Sequence, residues 1–169
     1  MHPPRIAGFS YDGSHRYLLT FTAFRRSRFF CTPQIVEDLL VQFRHSASVE
    51  QFEMLAHCFM PDHVHLLVAG IAETACLRRF VTRAKQQTGY RFAASTGQRL
   101  WQVGFYDHVL RDDEETIAVV RYILANPIRG GLTMAIGEYP FAGSDVFSTE
   151  EICECLQTWS GVSGRSWQR

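Results

Sequence analysis

The chain has 169 residues, of which 46% are hydrophobic and 13% aromatic, and its 17 basic side chains balance 17 acidic ones at pH 7. These values are typical of one folded domain with its own core, and they exclude a disordered chain and one that binds nucleic acid through its overall charge. No apolar run approaches the roughly 20 residues of a membrane span, and residues 1–8 lack the apolar stretch of a secretory signal, so a cytoplasmic protein is expected.

Hydrophobic periodicity and turn residues predict strands that alternate with helices along the chain. A β-branched and aromatic run predicts the first strand, and Pro33 then begins a helix whose apolar residues repeat at helical spacing. The pair Pro61-Asp62 separates two apolar runs and predicts a hairpin, and Pro127 ends the last long helix. The predicted elements are a strand at 17–24, a helix at 33–45, strands at 52–59 and 63–68, a helix at 74–92, extended segments at 100–102 and 105–110, a helix from 112 or 113 to 126, a loop at 138–148 and a short helix at 149–159.

The order strand, helix, hairpin, helix, strand, helix is that of a ferredoxin-like fold. This is an α+β sandwich in which helices pack on one face of an antiparallel sheet. We expect residues 1–148 to form one catalytic domain, and residues 149–169 to add a C-terminal helix with a loose tail.

His63 and His65 stand at alternate positions of the hairpin's returning strand, so their side chains share a face with Cα atoms about 6.5 Å apart. Two imidazoles at this separation can converge on one metal ion. A closed structural zinc site takes four ligands, so the pair favours an open site completed by water, a substrate phosphate and one further side chain. On its own the pair is also compatible with a packing role.

The third predicted helix carries Tyr122 and Asn126, which are four residues apart and therefore share a face. A tyrosine hydroxyl, with a pKa of about 10, attacks poorly at neutral pH unless it is assisted, and a metal held by the histidines would polarise and position a phosphodiester for it. Asn126 is a candidate third ligand through its amide oxygen, although an Asn before a proline is also a common helix end. An oxygen-rich open site of this kind favours Mg²⁺ or Mn²⁺.

The stretch from Leu77 to Tyr106 contains six basic residues and no acidic one. The planar guanidinium of arginine matches phosphate oxygens with paired hydrogen bonds. We therefore predict DNA contacts, for which a solvated surface is the alternative at each position. The predicted contacts are Arg79, Arg83 and Lys85 of the second helix, with Arg25 and Arg26 in the loop after the first strand.

Several segments, in this order along the chain, resemble the single-tyrosine HUH transposases, which are named for two histidines around a hydrophobic residue. Within that family the chain is most similar to the REP-associated tyrosine transposases, and the resemblance extends over about residues 11–148. The matching segments are YLLTFT at 17–22, MPDHVHL at 60–66, WQ at 101–102, YDHVLR at 106–111, YILANPIRGGL at 122–132 and YPFAGS at 139–144.

The resemblance implies a ferredoxin-like core that cleaves single-stranded DNA beside a hairpin and transfers the strand through a 5′-phosphotyrosine on Tyr122. It implies a divalent metal, Mg²⁺ or Mn²⁺, on His63 and His65, with Asn126 as the third ligand. Arg111 and Arg129, which lie inside the matching motifs, are expected to contact the DNA. We expect a monomer or a homodimer. The neutral net charge departs from the family, since relatives that bind structured DNA are often basic.

Two other functions remain open from the sequence. An immobilised, host-adapted protein that binds DNA hairpins without transposition would need no nucleophile, yet Tyr122 and both histidines are present. A metal-dependent hydrolase of another kind would need an acidic general base near the histidines, and turn formation already explains the adjacent Asp62.

Overall fold

The computed structural model describes residues 11–110, 113–148 and 150–152, without the side chains of residues 113–115. Arg111 and most of the predicted helix at 149–159 lie outside the described residues. The strands are β1 (Arg16–Thr22), β2 (Phe52–Met60), β3 (His63–Gly70), β4 (Tyr106–Leu110) and β5 (Ala142–Gly143). The helices are α1 (Pro33–Val49), α2 (Leu77–Thr96), α3 (Asp113–Leu124) and α4 (Asn126–Arg129), with a 3-10 turn at Phe24–Arg26.

The strands form one antiparallel sheet in the order β4-β1-β3-β2-β5. The first four reproduce the ferredoxin-like order, which confirms the predicted fold class. The central pair is β1 with β3, in continuous register from Arg16 opposite Ala69 to Thr22 opposite His63.

The segment at 138–148 was predicted to be a loop, and part of it is instead the edge strand β5. Ala142 and Gly143 pair with Cys58 and His57 of β2. The amide of Phe59 also donates to the carbonyl of Phe141 at 2.8 Å. The outer edge of β2 would otherwise leave these backbone groups without partners, and even two strand residues satisfy them.

Helices α1 and α2 pack on one face of the sheet, as predicted, and enclose an aromatic core. Trp101 lies in the middle of this core, with ring centroids 5.5–6.2 Å from those of Phe21, Phe30 and Phe43. Its indole nitrogen donates to Thr88 Oγ1 of α2 at 2.8 Å, so burial leaves no unpaired donor there.

The third helix, α3, covers the other face of the sheet, which the prediction of helices on one face did not include. Val119 and Ile123 of α3 pack with Leu18 and Leu67 in a second apolar cluster. With both faces covered, seven consecutive residues of β2, 54–60, are buried, and all of them except His57 are apolar. None of the described helices is both long enough and apolar enough to cross a membrane.

Two glycines, one at the end of β3 and one inside α2, allow a test of the packing. A Cβ at Gly70 would overlap the backbone carbonyl of Gly13, whereas one at Gly89 inside α2 would lie 3.6 Å from Trp101 Cδ1, an ordinary contact. We expect Gly70→Ala to lower the free energy of unfolding by about 2 kcal/mol. Gly89→Ala should raise it by about 0.5 kcal/mol, because alanine restricts the unfolded chain. Urea unfolding near neutral pH measures both; equal stability of the two variants would contradict the packing.

His57 gives the fold a dependence on pH. Its ring is buried beside Phe59, at 6.2 Å between centroids, and burial lowers the pKa of the imidazole from 6.5 to about 4. Between these pH values the unfolded chain binds a proton at His57 that the folded chain does not, so stability falls as the pH falls. Between pH 7 and pH 4.5 the loss attributable to His57 should be about 2 kcal/mol and should disappear in His57→Gln. Urea unfolding of both proteins at pH 7 and pH 4.5 tests this; identical losses would contradict it.

Candidate active site

The histidine pair lies on the α3 face of the sheet, opposite the aromatic core. Val64 and Leu66 of β3 point into the core formed with α1 and α2. His63 and His65 alternate with them and take the other face, with ring centroids 4.8 Å apart and ring planes at 88°. The structure thus brings the two predicted metal ligands together, with His65 buried and His63 partly exposed.

Each histidine uses its Nδ1 atom within the protein. His63 Nδ1 is 2.6 Å from Asp62 Oδ1, and His65 Nδ1 is 3.0 Å from Thr20 Oγ1 on the neighbouring strand. The carboxylate of Asp62 can only accept, so Nδ1 of His63 donates and its Nε2 is left as the ligand atom. The hydroxyl of Thr20 can accept from Nδ1 of His65 in the same way, which is the arrangement that binding of metal at Nε2 requires. The donor chemistry therefore fits a divalent metal ion bound by the two Nε2 atoms.

Sequence reasoning missed the contacts that Asp62 and Thr20 make with the two histidines. Asp62 was explained as a turn residue, and its position beside His63 was the available signal. Thr20 lies opposite His65 in the register of β1 and β3, which becomes visible only when the strands are paired.

The basic loop after β1 reaches the histidines through Asp62. Arg26 Nη1 lies 3.1 Å from Asp62 Oδ2. Partial burial opposes ionisation of Asp62, but the hydrogen bonds and charges of His63 and Arg26 outweigh it and lower the pKa of the carboxyl. Arg25 and Arg26 adopt φ values of 55° and 53°, which non-glycine residues rarely take. The first strand was predicted to reach residue 24, but β1 ends at Thr22 and Phe24 begins the 3-10 turn.

Burial keeps the inner histidine neutral. Desolvation first, and then the charges of His63 and Arg129, lower the pKa of His65 to about 3. A neutral imidazole is the form that binds metal. Among the described residues there is no cluster of three or more His, Cys, Asp and Glu side chains suited to a metal ion. The predicted ligand set contains only two such side chains, His63 and His65, because its third member, Asn126, is an amide.

Tyr122, on α3, lies beside the histidine pair. Its ring centroid lies 5.9 Å from that of His65, with the ring planes at 76°. A tyrosine nucleophile would have to lie close to the histidine pair, and Tyr122 does. Arg129 of α4 lies on the same tyrosine, with its guanidinium carbon 4.3 Å from the ring centroid.

Asn126 joins α3 to α4 through its amide nitrogen. Nδ2 donates to the carbonyl oxygens of Tyr122 at 2.9 Å and Ile123 at 3.2 Å. The next residue, Pro127, has no N–H to donate to Ile123, so the side chain supplies the missing donor. The helix-end role uses the nitrogen of the amide, and the predicted ligand role uses its oxygen. The two roles are compatible.

The basic residues of α2 lie on the opposite layer from Tyr122. Arg79 and Arg83 donate to the buried carboxylate of Glu50 at 3.0 and 2.7 Å. They border a groove of about 630 Å³ that also includes the exposed Tyr90. Lys85 Nζ donates to the backbone carbonyl of Gln102 at 2.9 Å and to that of Gly104. Burial first, and then the charge of Arg99, lower the pKa of Lys85 to about 8.

Comparisons with known proteins identify the family. The family described as "Transposase IS200 like" matches residues 13–126, which include both histidines, Tyr122 and Asn126. A Haemophilus influenzae protein described as a REP-associated tyrosine transposase is 25% identical over 137 residues, which cover 75% of this chain and 77% of that protein. A solved structure of a REP-associated tyrosine transposase bound to a REP hairpin has the same fold, with a TM-score of 0.68 and 20% identity over 83% of this chain and 82% of that one. The chain therefore belongs to the family of IS200-like transposases, which are tyrosine transposases.

Proposed function

We propose that this transposase is a metal-dependent enzyme that cleaves single-stranded DNA next to a hairpin and transfers the cut strand through Tyr122. The observation that carries the proposal is the contact of Tyr122 with His65, inside a site whose two histidines have their Nδ1 atoms engaged and their Nε2 atoms left as ligands. We further propose Asn126 Oδ1 as the third ligand, since the amide nitrogen is held by helix carbonyls.

In the proposed reaction the Tyr122 hydroxyl oxygen attacks a backbone phosphorus and loses its proton. The new bond joins this oxygen to phosphorus, and the bond from phosphorus to the 3′ oxygen breaks, so that the leaving 3′ oxygen takes up a proton. A 5′-phosphotyrosine and a free 3′-hydroxyl result. Attack by a 3′-hydroxyl of another strand reverses these bond changes and releases Tyr122. The phosphodiester energy is kept throughout, so no nucleotide cofactor is required.

The chain's residues divide the remaining tasks. His63 and His65 would hold Mg²⁺ or Mn²⁺, which when bound supplies positive charge that polarises the phosphate oxygens. Asp62 and Thr20 orient the two imidazoles. The low pKa of His65 keeps its ring neutral and able to bind metal at physiological pH.

We propose hairpin or single-stranded DNA as the partner, in line with the solved relative bound to a REP hairpin. Arg26 pairs with Asp62 at the site, and Arg25 precedes it in the same turn; both are proposed to contact the strand being cleaved. Arg79 and Arg83, on the other layer, are proposed to contact a more distant part of the DNA, and Glu50 holds their side chains in place. Three further points stay predictions. They are the DNA contacts of Lys85, Arg111 and Arg129, the cytoplasmic location, and the state as monomer or homodimer.

A trapping experiment tests the proposed function. The protein is incubated with a single-stranded hairpin oligonucleotide and Mn²⁺, denatured, and analysed for a covalent protein–DNA adduct. We expect an adduct in the wild type and none in Tyr122→Phe, while both bind the oligonucleotide. Hairpin binding without an adduct would indicate the binding protein instead, and cleavage that persists in Tyr122→Phe would indicate a hydrolase of another kind.

The role of Asp62 in metal binding can be tested separately. Asp62→Asn removes the carboxylate that accepts from His63, so the Mn²⁺ concentration for half-maximal cleavage should rise by roughly 10- to 100-fold. Asp145→Asn is the matched control, because Asp145 also pairs with an arginine, Arg44 at 2.6 Å, but away from the site. A Mn²⁺ titration of the three proteins compares them. An equal metal requirement in all three would contradict the role of Asp62.

A further inference from the structure

We propose that Arg129 is the positioning residue of Tyr122, which holds the tyrosine ring beside His65 ready for attack. The inference rests on the proposed function, because it concerns the nucleophile of that reaction. Its basis is a pair of contacts by one guanidinium group. The guanidinium carbon of Arg129 lies 4.3 Å from the ring centroid of Tyr122, and Nη2 donates to the main-chain oxygen of the same tyrosine at 2.7 Å.

The two contacts hold both the main chain and the aromatic ring of Tyr122. The hydrogen bond ties the guanidinium to the backbone of α3, and from there its cation covers a face of the ring, where the attraction between a cation and an aromatic ring is strongest. The imidazole of His65 also lies against the ring, with the two ring planes at 76°. Tyr122 is only half-buried, so these two neighbours restrict a side chain that the core alone does not hold.

The turn that carries Arg129 is itself held in place. The amide of Arg129 donates to the carbonyl of Ala125 at 3.1 Å. Gly130, which follows, lies against the Met60 side chain of β2, since a Cβ there would be 2.8 Å from Met60 Cε. Because α3 ends before Pro127, the chain turns and α4 places Arg129 beside Tyr122. The sheet supports this turn.

A positioning role differs measurably from the direct DNA contact predicted from the sequence. Positioning changes the fraction of bound complexes in which the nucleophile is aligned, and so affects the cleavage rate at saturating DNA. A phosphate contact changes DNA affinity and its dependence on salt. Planarity also matters, because lysine retains the charge but cannot lie flat on a ring while donating to the carbonyl.

The experiment compares the wild type with Arg129→Met, Arg129→Lys and the control Arg91→Met, which removes an exposed charge from α2. The first readout needs no DNA. In protein with ¹³C-labelled tyrosine, the ring resonance of Tyr122 is assigned by its loss in Tyr122→Phe. We expect both Arg129 variants to shift this resonance and Arg91→Met to leave it unchanged. An unshifted resonance in Arg129→Met overturns the proposal, whatever the activity.

The second readout is single-turnover cleavage of the hairpin oligonucleotide at saturating DNA. We expect Arg129→Met to lower the rate roughly tenfold with little change in Kd, and Arg129→Lys to restore little of it. A normal saturated rate with a weakened Kd overturns the positioning role in favour of a phosphate contact. If the wild type forms no covalent protein–DNA adduct, the proposed function is contradicted but the role of Arg129 is not. The Tyr122 resonance tests that role independently.

Discussion

The register of β3 between β1 and β2 is the constraint on which the site depends. One face of β3 carries Val64 and Leu66 into the aromatic core, and the other presents His63 and His65 to α3. A shift of one residue would exchange the two faces and bury the histidines among phenylalanines. The large aromatic side chains around Trp101 therefore do more than stabilise the domain, because they fix which face of the strand carries the histidines.

The site is assembled largely from groups that the fold already holds rigid. Thr20 reaches His65 because the strands pair in one register, and Asp62 reaches His63 because both belong to the same tight hairpin. Asn126 closes the junction of α3 and α4 with its amide nitrogen. The proposed ligand atoms are thus oriented by partners that also satisfy buried polar groups, which reduces the reorganisation that the proposed binding of metal and DNA would require.

The sequence could predict the parts of this structure that follow from local periodicity. Alternation along β3 predicted the shared face of the histidines, and helical spacing predicted that of Tyr122 and Asn126. It could not predict the contact of Thr20 with His65, which arises from pairing between distant segments. The two-residue strand β5 is too short to have a periodic signal. Charge alone indicated DNA contacts for Arg79, Arg83 and Lys85, whereas their partners, Glu50 and two backbone carbonyls, come from tertiary packing.

The most direct test of the site is to observe the metal ligands in the protein itself. Pulsed electron paramagnetic resonance of bound Mn²⁺ detects nitrogen atoms in its coordination sphere. The geometry of β3 predicts two histidine nitrogens in the wild type and one in each of His63→Ala and His65→Ala. Bound Mn²⁺ with no histidine nitrogen, or a spectrum that neither substitution changes, would contradict the assignment of this face of the sheet as the catalytic centre.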